Sequence, residues 1–185
     1  MVAAIDKTGV KMLKFTKRKR SVFAVERIAK FETVSKAQYI KDVGEEMAES
    51  YIAVRLPRRA TAHSAGYDFF TPCDVFLPPH GSAIVKTGVR ALMREGWVLL
   101  IYPRSGLGFR FGIHLANTVG VIDGDYANAP NEGHIMIKLT NPTEQSLTLG
   151  AGTAIAQGIF TPYGITVDDN VTAEREGGFG STDGK

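Results

Sequence analysis

The chain has 185 residues, 44% of them hydrophobic, which suits one domain with a real core and excludes a chain that stays unfolded for want of apolar residues. The net charge of +3 is concentrated in the first twenty residues. There Lys7, Lys11, Lys14, Lys17, Arg18, Lys19 and Arg20 stand against Asp6, a balance of +6 that leaves −3 on the rest, so the basic signal belongs to an arm and not to a nucleic-acid-binding face. Cys73 is the only cysteine, so neither an intrachain disulfide nor a Cys-rich zinc site can be built, and apolar runs such as 97–102 fall far short of the ~20 residues of a membrane helix. A soluble, cytoplasmic protein is the expectation.

Residues 1–20 lack apolar periodicity and read as a basic flexible arm. Lys17-Arg18-Lys19-Arg20 is either a solvated run or a polyanion or localisation cluster, the one place where weak nucleic-acid contact is expected. Within an extension over 21–50, Ser35-Lys36-Ala37-Gln38 fits a capping box, and Tyr39, Ile40 and Val43 follow at helical spacing, which predicts one helix near 35–49. From 51 to 174 short apolar stretches alternate with Gly, Pro, Asn and Asp, as strands and turns do. Examples are 74–77, 84–89 and 134–140, where Ile135, Ile137 and Leu139 share a face. The fold class is therefore all-β: a sandwich, jelly roll or barrel. The tail over 175–185 interleaves Arg175, Phe179, Ser181 and Thr182 with glycines. It is either a disordered end or a lid whose N–H groups, hydroxyls and guanidinium suit phosphates and whose Phe179 suits a base.

The run Asn117-Thr118-Val119-Gly120-Val121-Ile122-Asp123-Gly124-Asp125-Tyr126 places two carboxylates and an aromatic ring at the end of an apolar, hairpin-like segment. A turn needs only its glycines and one Asx residue, so the doubled Asp and Tyr126 exceed what a turn requires. Four more runs accompany it: Ser64-Ala65-Gly66-Tyr67-Asp68, Pro103-Arg104-Ser105-Gly106-Leu107-Gly108, Ile155-Ala156-Gln157-Gly158-Ile159-Phe160 and Gly177-Gly178-Phe179-Gly180-Ser181-Thr182. In this order they resemble the five motifs of the trimeric dUTPase family, over about residues 51–185.

That resemblance implies a distorted jelly-roll, β-clip domain that assembles as a homotrimer with shared active sites. It implies Mg²⁺-dependent hydrolysis of dUTP to dUMP and pyrophosphate, which lowers dUTP and supplies dUMP for thymidylate synthesis. Asp123 matches the general base that activates the water attacking the α-phosphorus, and Asp125 is read as supporting or solvated. Tyr126 matches the ring beneath the deoxyribose, where a 2′-hydroxyl would clash. Asn117 and the backbone of Gly120, Val121 and Ile122 match the uracil-reading segment. Arg104, Ser105 and Gly106 match the phosphate-binding second motif, and Gln157 the amide near the α-phosphate. Arg175, Phe179, Gly180, Ser181 and Thr182 match the lid. Asp68 resembles the carboxylate that supports Arg104 or the metal's waters, or else caps a turn. Mg²⁺ is expected on the triphosphate and waters and not in a protein cage.

Three departures from the pattern stand out. Ala154 occupies a position where many members carry arginine; the segment 127–132 (Ala-Asn-Ala-Pro-Asn-Glu) enlarges the loop after Tyr126; and Arg175 stands one residue closer to the glycine tail. The arm and the 35–49 helix lie outside the family core. His63, His80, His114 and His134 have no metal-ligand spacing, and surface or turn roles are expected for all four. The competing readings are a dCTP deaminase-like enzyme of the same fold and a nucleotide-gated regulatory binding protein.

Overall fold

The computed structural model describes residues 3–5, 11–13, 25–173, 175 and 177. Its strands, in chain order, are β1 (Ala3–Ile5), β2 (Lys11–Leu13), β3 (Ala29–Thr33), β4 (Arg58–Arg59), β5 (Tyr67–Phe70), β6 (Val75–Leu77), β7 (Ser82–Lys86), β8 (Val89–Met93), β9 (Trp97–Pro103), β10 (His114–Leu115), β11 (Gly120–Ile122), β12 (Met136–Thr140), β13 (Leu147–Leu149) and β14 (Ala154–Pro162). Two α-helices, α1 (Lys36–Val43) and α2 (Ser105–Phe111), and two 3₁₀ segments, Glu45–Ala53 and Tyr126–Asn128, complete the described elements.

Every pairing is antiparallel. The largest sheet runs β11-β9-β14-β5-β4; a second runs β10-β12-β7; and β13-β6, β3-β8 and β1-β2 pair as ribbons. Alternate residues of strands such as β6, β9 and β12 enter one core. Phe69, Leu77, Val85, Leu99, Ile101, Ile137, Leu139 and Ile155 are buried there, with Phe31 of β3 packed edge-on against Phe69. The all-β reading stands.

Several boundaries differ from the sequence expectation. The helix near 35–49 is two elements: Gly44, at φ +91, ends α1, and residues 45–53 continue as a 3₁₀ helix. Such a backbone conformation is outside the α region, so the helical pattern could not run through it. The 84–89 run is split between β7 and β8 by Gly88 at φ +73. The last strand of the 134–140 run begins only at Met136, because His134 and Ile135 make cross-connections to Gly88 and Val89. In the stretch read as a flexible arm, β1 and β2 form a small ladder with Ala3 opposite Leu13. The 17–20 cluster lies outside the described residues.

Candidate active site

Three strands of the large sheet bring three motifs together. Asp68 of β5 lies opposite Gln157 of β14, which lies opposite Tyr102 of β9, and Arg104 follows immediately after β9. The Arg104 guanidinium forks onto Asp68, with Nε to Oδ1 at 3.4 Å and Nη2 to Oδ2 at 3.5 Å. The Asp68 side chain is 13% exposed and that of Arg104 42%, so the carboxylate anchors a guanidinium that still meets solvent. A Cβ at Gly66 would overlap the Gln157 side chain, so this glycine lets the amide fold across the backbone. Ser105 and Gly106 open α2, where the first N–H groups have no carbonyl of the helix to bind, and nothing lies within 4 Å of a Cβ built at Gly106.

The run from Asn117 to Tyr126 is not a closed hairpin. β10 before it pairs with β12 in the second sheet, whereas β11 pairs with β9 in the first, and a loop with Thr118 at φ +63 carries the chain between them. An apolar cleft of about 530 Å³ opens along this crossing, walled by Asn117, Gly120, Val121, Ile122, Met136 and Lys138 among others. Its size and its few polar groups suit a planar heterocycle read by backbone amides.

After Ile122 the chain turns, and Asp125 takes an αR backbone (φ −86, ψ −7) at the start of the 3₁₀ segment. Asp123 and Asp125 are thus not successive positions on one face of an extended segment. Arg175 gathers them instead: Nη2 binds Asp123 Oδ2, Nε donates to Asp125 Oδ1 at 2.9 Å, and the guanidinium carbon lies 5.5 Å from the centre of the Tyr126 ring. The Tyr126 ring is buried. Its hydroxyl donates to the His134 carbonyl at 3.1 Å and accepts from Asn131 Nδ2 at 2.9 Å. Burial pushes the phenol pKa up, against the pull of Asn131 and Arg175 in the other direction.

These are two clusters and not one. Ile122 lies opposite Leu99, so Asp123 leaves the sheet level with Val98, six residues along β9 from Arg104. At about 3.3 Å per residue the two backbone positions are about 20 Å apart. Phe179, Gly180, Ser181 and Thr182 lie outside the described residues. Among the described residues no three His, Cys, Asp or Glu side chains converge to hold a metal ion.

Sequence reasoning misplaced one histidine. His63, His80 and His114 are exposed as expected, but His134 is fully buried, with Nδ1 2.6 Å from Asp42 Oδ2 and Nε2 accepting the Gly88 N–H at 2.8 Å. Its position between Gly133 and an apolar strand was the available signal. The paired partner, Asp42, lies 92 residues away, where no local pattern reaches.

A family model described as dUTPase matches residues 53–183. The chain belongs to the dUTPase family. It is 39% identical over 144 residues to the deoxyuridine 5′-triphosphate nucleotidohydrolase of Lactococcus lactis subsp. lactis, covering 75% of this chain and 96% of that relative. The crystal structure of the Streptococcus mutans dUTPase matches with a TM-score of 0.62 at 38% identity, over 75% of this chain and 98% of that one. The dUTPase of Staphylococcus bacteriophage 80alpha with dUPNHPP matches with a TM-score of 0.60 at 24% identity, over 84% of this chain and 98% of that one, a likeness of fold. The matched dUTPase segment begins after α1, so this helix lies outside it.

Proposed function

We propose that this dUTPase-family chain hydrolyses dUTP to dUMP and pyrophosphate by attack of water on the α-phosphorus. One observation carries the arrangement: the family's phosphate residues and its catalytic Asp are grouped at opposite ends of β9, about 20 Å apart, so one chain holds two half-sites. A homotrimer in which the Asp123 half of one subunit faces the Arg104 half of the next completes each site. Those sites are shared.

In each site the apolar cleft takes uracil, with Asn117 and the backbone of Gly120, Val121 and Ile122 at its edge. The Tyr126 ring packs under the deoxyribose. Asp123, whose side chain is 53% exposed, accepts the proton of the attacking water; because Arg175 binds Oδ2, the transfer runs to Oδ1. Arg104, Ser105 and Gly106 bind phosphate oxygens, and Phe179, Gly180, Ser181 and Thr182 close over them with Arg175. Mg²⁺ bound to the triphosphate would neutralise its charge, with Asp68 and Gln157 placed to hold the waters around it. The single Cys73 and the lack, among the described residues, of any helix able to cross a membrane agree with a cytoplasmic enzyme.

The test is complementation between half-sites. Asp123→Asn and Arg104→Ala proteins should each be nearly inactive on dUTP. Unfolded and refolded together in equal amounts, they should regain about one quarter of wild-type activity, because one site in four draws both intact halves. Mixed trimers with no recovery overturn the shared site. Hydrolysis of dCTP or dTTP in preference to dUTP overturns the substrate assignment.

A further inference from the structure

The N-terminal extension ends on the wall behind Tyr126. Helix α1 begins at Ser35, whose hydroxyl accepts the Gln38 N–H at 3.1 Å, as a capping box requires. The reciprocal half of the box is absent, because the Gln38 amide turns to Asp42 at 2.8 Å. Glu132 supplies it from the enlarged loop instead. The Ser35 N–H donates to Glu132 Oε2 and its hydroxyl to Glu132 Oε1, both at 2.7 Å. These bonds hold the Glu132 carboxyl below the usual carboxylate range.

Glu132 sits at φ +56, a left-handed conformation that a non-glycine residue adopts only when its surroundings enforce it. Gly133 follows at φ +71, and a Cβ there would come within 2.6 Å of the Ala127 Cα and 2.7 Å of the Tyr126 carbonyl oxygen. The loop is therefore folded tightly back on Tyr126. At its end His134 is held from both ring nitrogens. Nε2 accepts the Gly88 N–H, so Nδ1 carries the hydrogen and donates to Asp42. Tyr39 of α1 packs its ring 6.0 Å from the same imidazole. The His134 carbonyl, oriented by these contacts, accepts the Tyr126 hydroxyl.

We infer that α1 is part of the sugar-selecting apparatus: Asp42 through His134, and Ser35 through Glu132, are positioning residues that hold the Tyr126 ring where a 2′-hydroxyl would collide. The inference rests on the proposed role of Tyr126 at the deoxyribose. It gives the helix outside the family segment a function in discriminating dUTP from UTP. It also explains why the enlarged loop and the helix occur in one chain, since the loop's Glu132 caps the helix.

The test compares kcat/KM for dUTP and UTP in the full-length protein and in Asp42→Ala, Asp42→Asn, Ser35→Ala and Tyr126→Ala variants. Asp42→Ala should lower the dUTP:UTP ratio about tenfold, mainly through easier UTP turnover, while Asp42→Asn, which keeps an acceptor for His134, should recover most of it. Ser35→Ala, at the exposed helix start, should lower the ratio about threefold and serves if Asp42→Ala fails to fold. Combined with Tyr126→Ala, Asp42→Ala should relax the ratio no further, because both act through one ring. A lowered melting temperature with the ratio unchanged in both Asp42→Ala and Ser35→Ala, while Tyr126→Ala relaxes it, overturns the inference alone. An unchanged ratio in Tyr126→Ala overturns the sugar role of Tyr126, and the inference with it.

Discussion

Arg175 binds Asp123 and Asp125 at once, placing the arginine of the C-terminal segment on the carboxylate expected to act as base. Its side chain is 16% exposed against 53% and 51% for the two carboxylates, so the guanidinium is the inner member of the cluster and lies over the Tyr126 ring. On the proposed mechanism the arginine carries positive charge to the place where the α-phosphate of dUTP would approach Asp123. On the proposed assignment it links the lid segment to the general base and the sugar-packing ring through a single side chain.

Asp123→Asn keeps the size and much of the hydrogen bonding of this residue but removes the proton acceptor. Turnover of dUTP should fall by about 10³-fold with nucleotide binding largely retained. Pyrophosphate release and calorimetric binding of dUTP measure the two separately, and a near-normal rate would remove Asp123 from the mechanism.

Asp125→Asn tests whether the second carboxylate only holds Arg175. The Nε contact weakens while the Asp123 contact remains, so kcat should fall less than about tenfold and KM should rise. A loss as deep as that of Asp123→Asn would transfer the base role to Asp125.

Gly66→Ala places a methyl group where the Gln157 side chain now lies, so the amide must swing off its present place over Gly66. The expected result is a folded protein, because a flexible side chain gives way, and, on the proposed role of Gln157, kcat/KM for dUTP reduced about tenfold or more. Unchanged kinetics would show that the Gln157 amide does not contribute at this position.

His134 gives stability a pH dependence. Burial holds its folded pKa below the ordinary value, although Asp42 pulls it up, and its Nε2 already accepts an N–H and has no place for a second hydrogen. The unfolded chain takes up a proton near pH 6.5, so it binds more protons than the folded one and stability drops as pH falls below that point. Melting temperatures measured from pH 8 to pH 5 should decline on the acid side, and the decline should be shallower in His134→Gln. Equal slopes in the two proteins would contradict the buried neutral imidazole.

The sequence by itself determined the β class, since period-two alternation such as that of Ile137 and Leu139 dictates which face of a strand is buried. It also identified the motif residues, because Gly66, Arg104, Asp123, Tyr126 and Gln157 belong to short runs whose chemistry is local. Ser35 was legible as a helix cap for the same reason. Only the tertiary structure decided the rest, because it depends on contacts between distant segments. Strand register set Asp123 and Arg104 about 20 Å apart and so placed the candidate site residues in two clusters. The left-handed turns at Gly44 and Gly88 cut runs that periodicity alone would continue. Packing buried His134 against Asp42 and replaced the expected Gln38 with Glu132 at the helix cap. A pattern read along the chain carries local propensity, whereas the pairing of 35 with 132 and of 42 with 134 exists only once the sheets have closed.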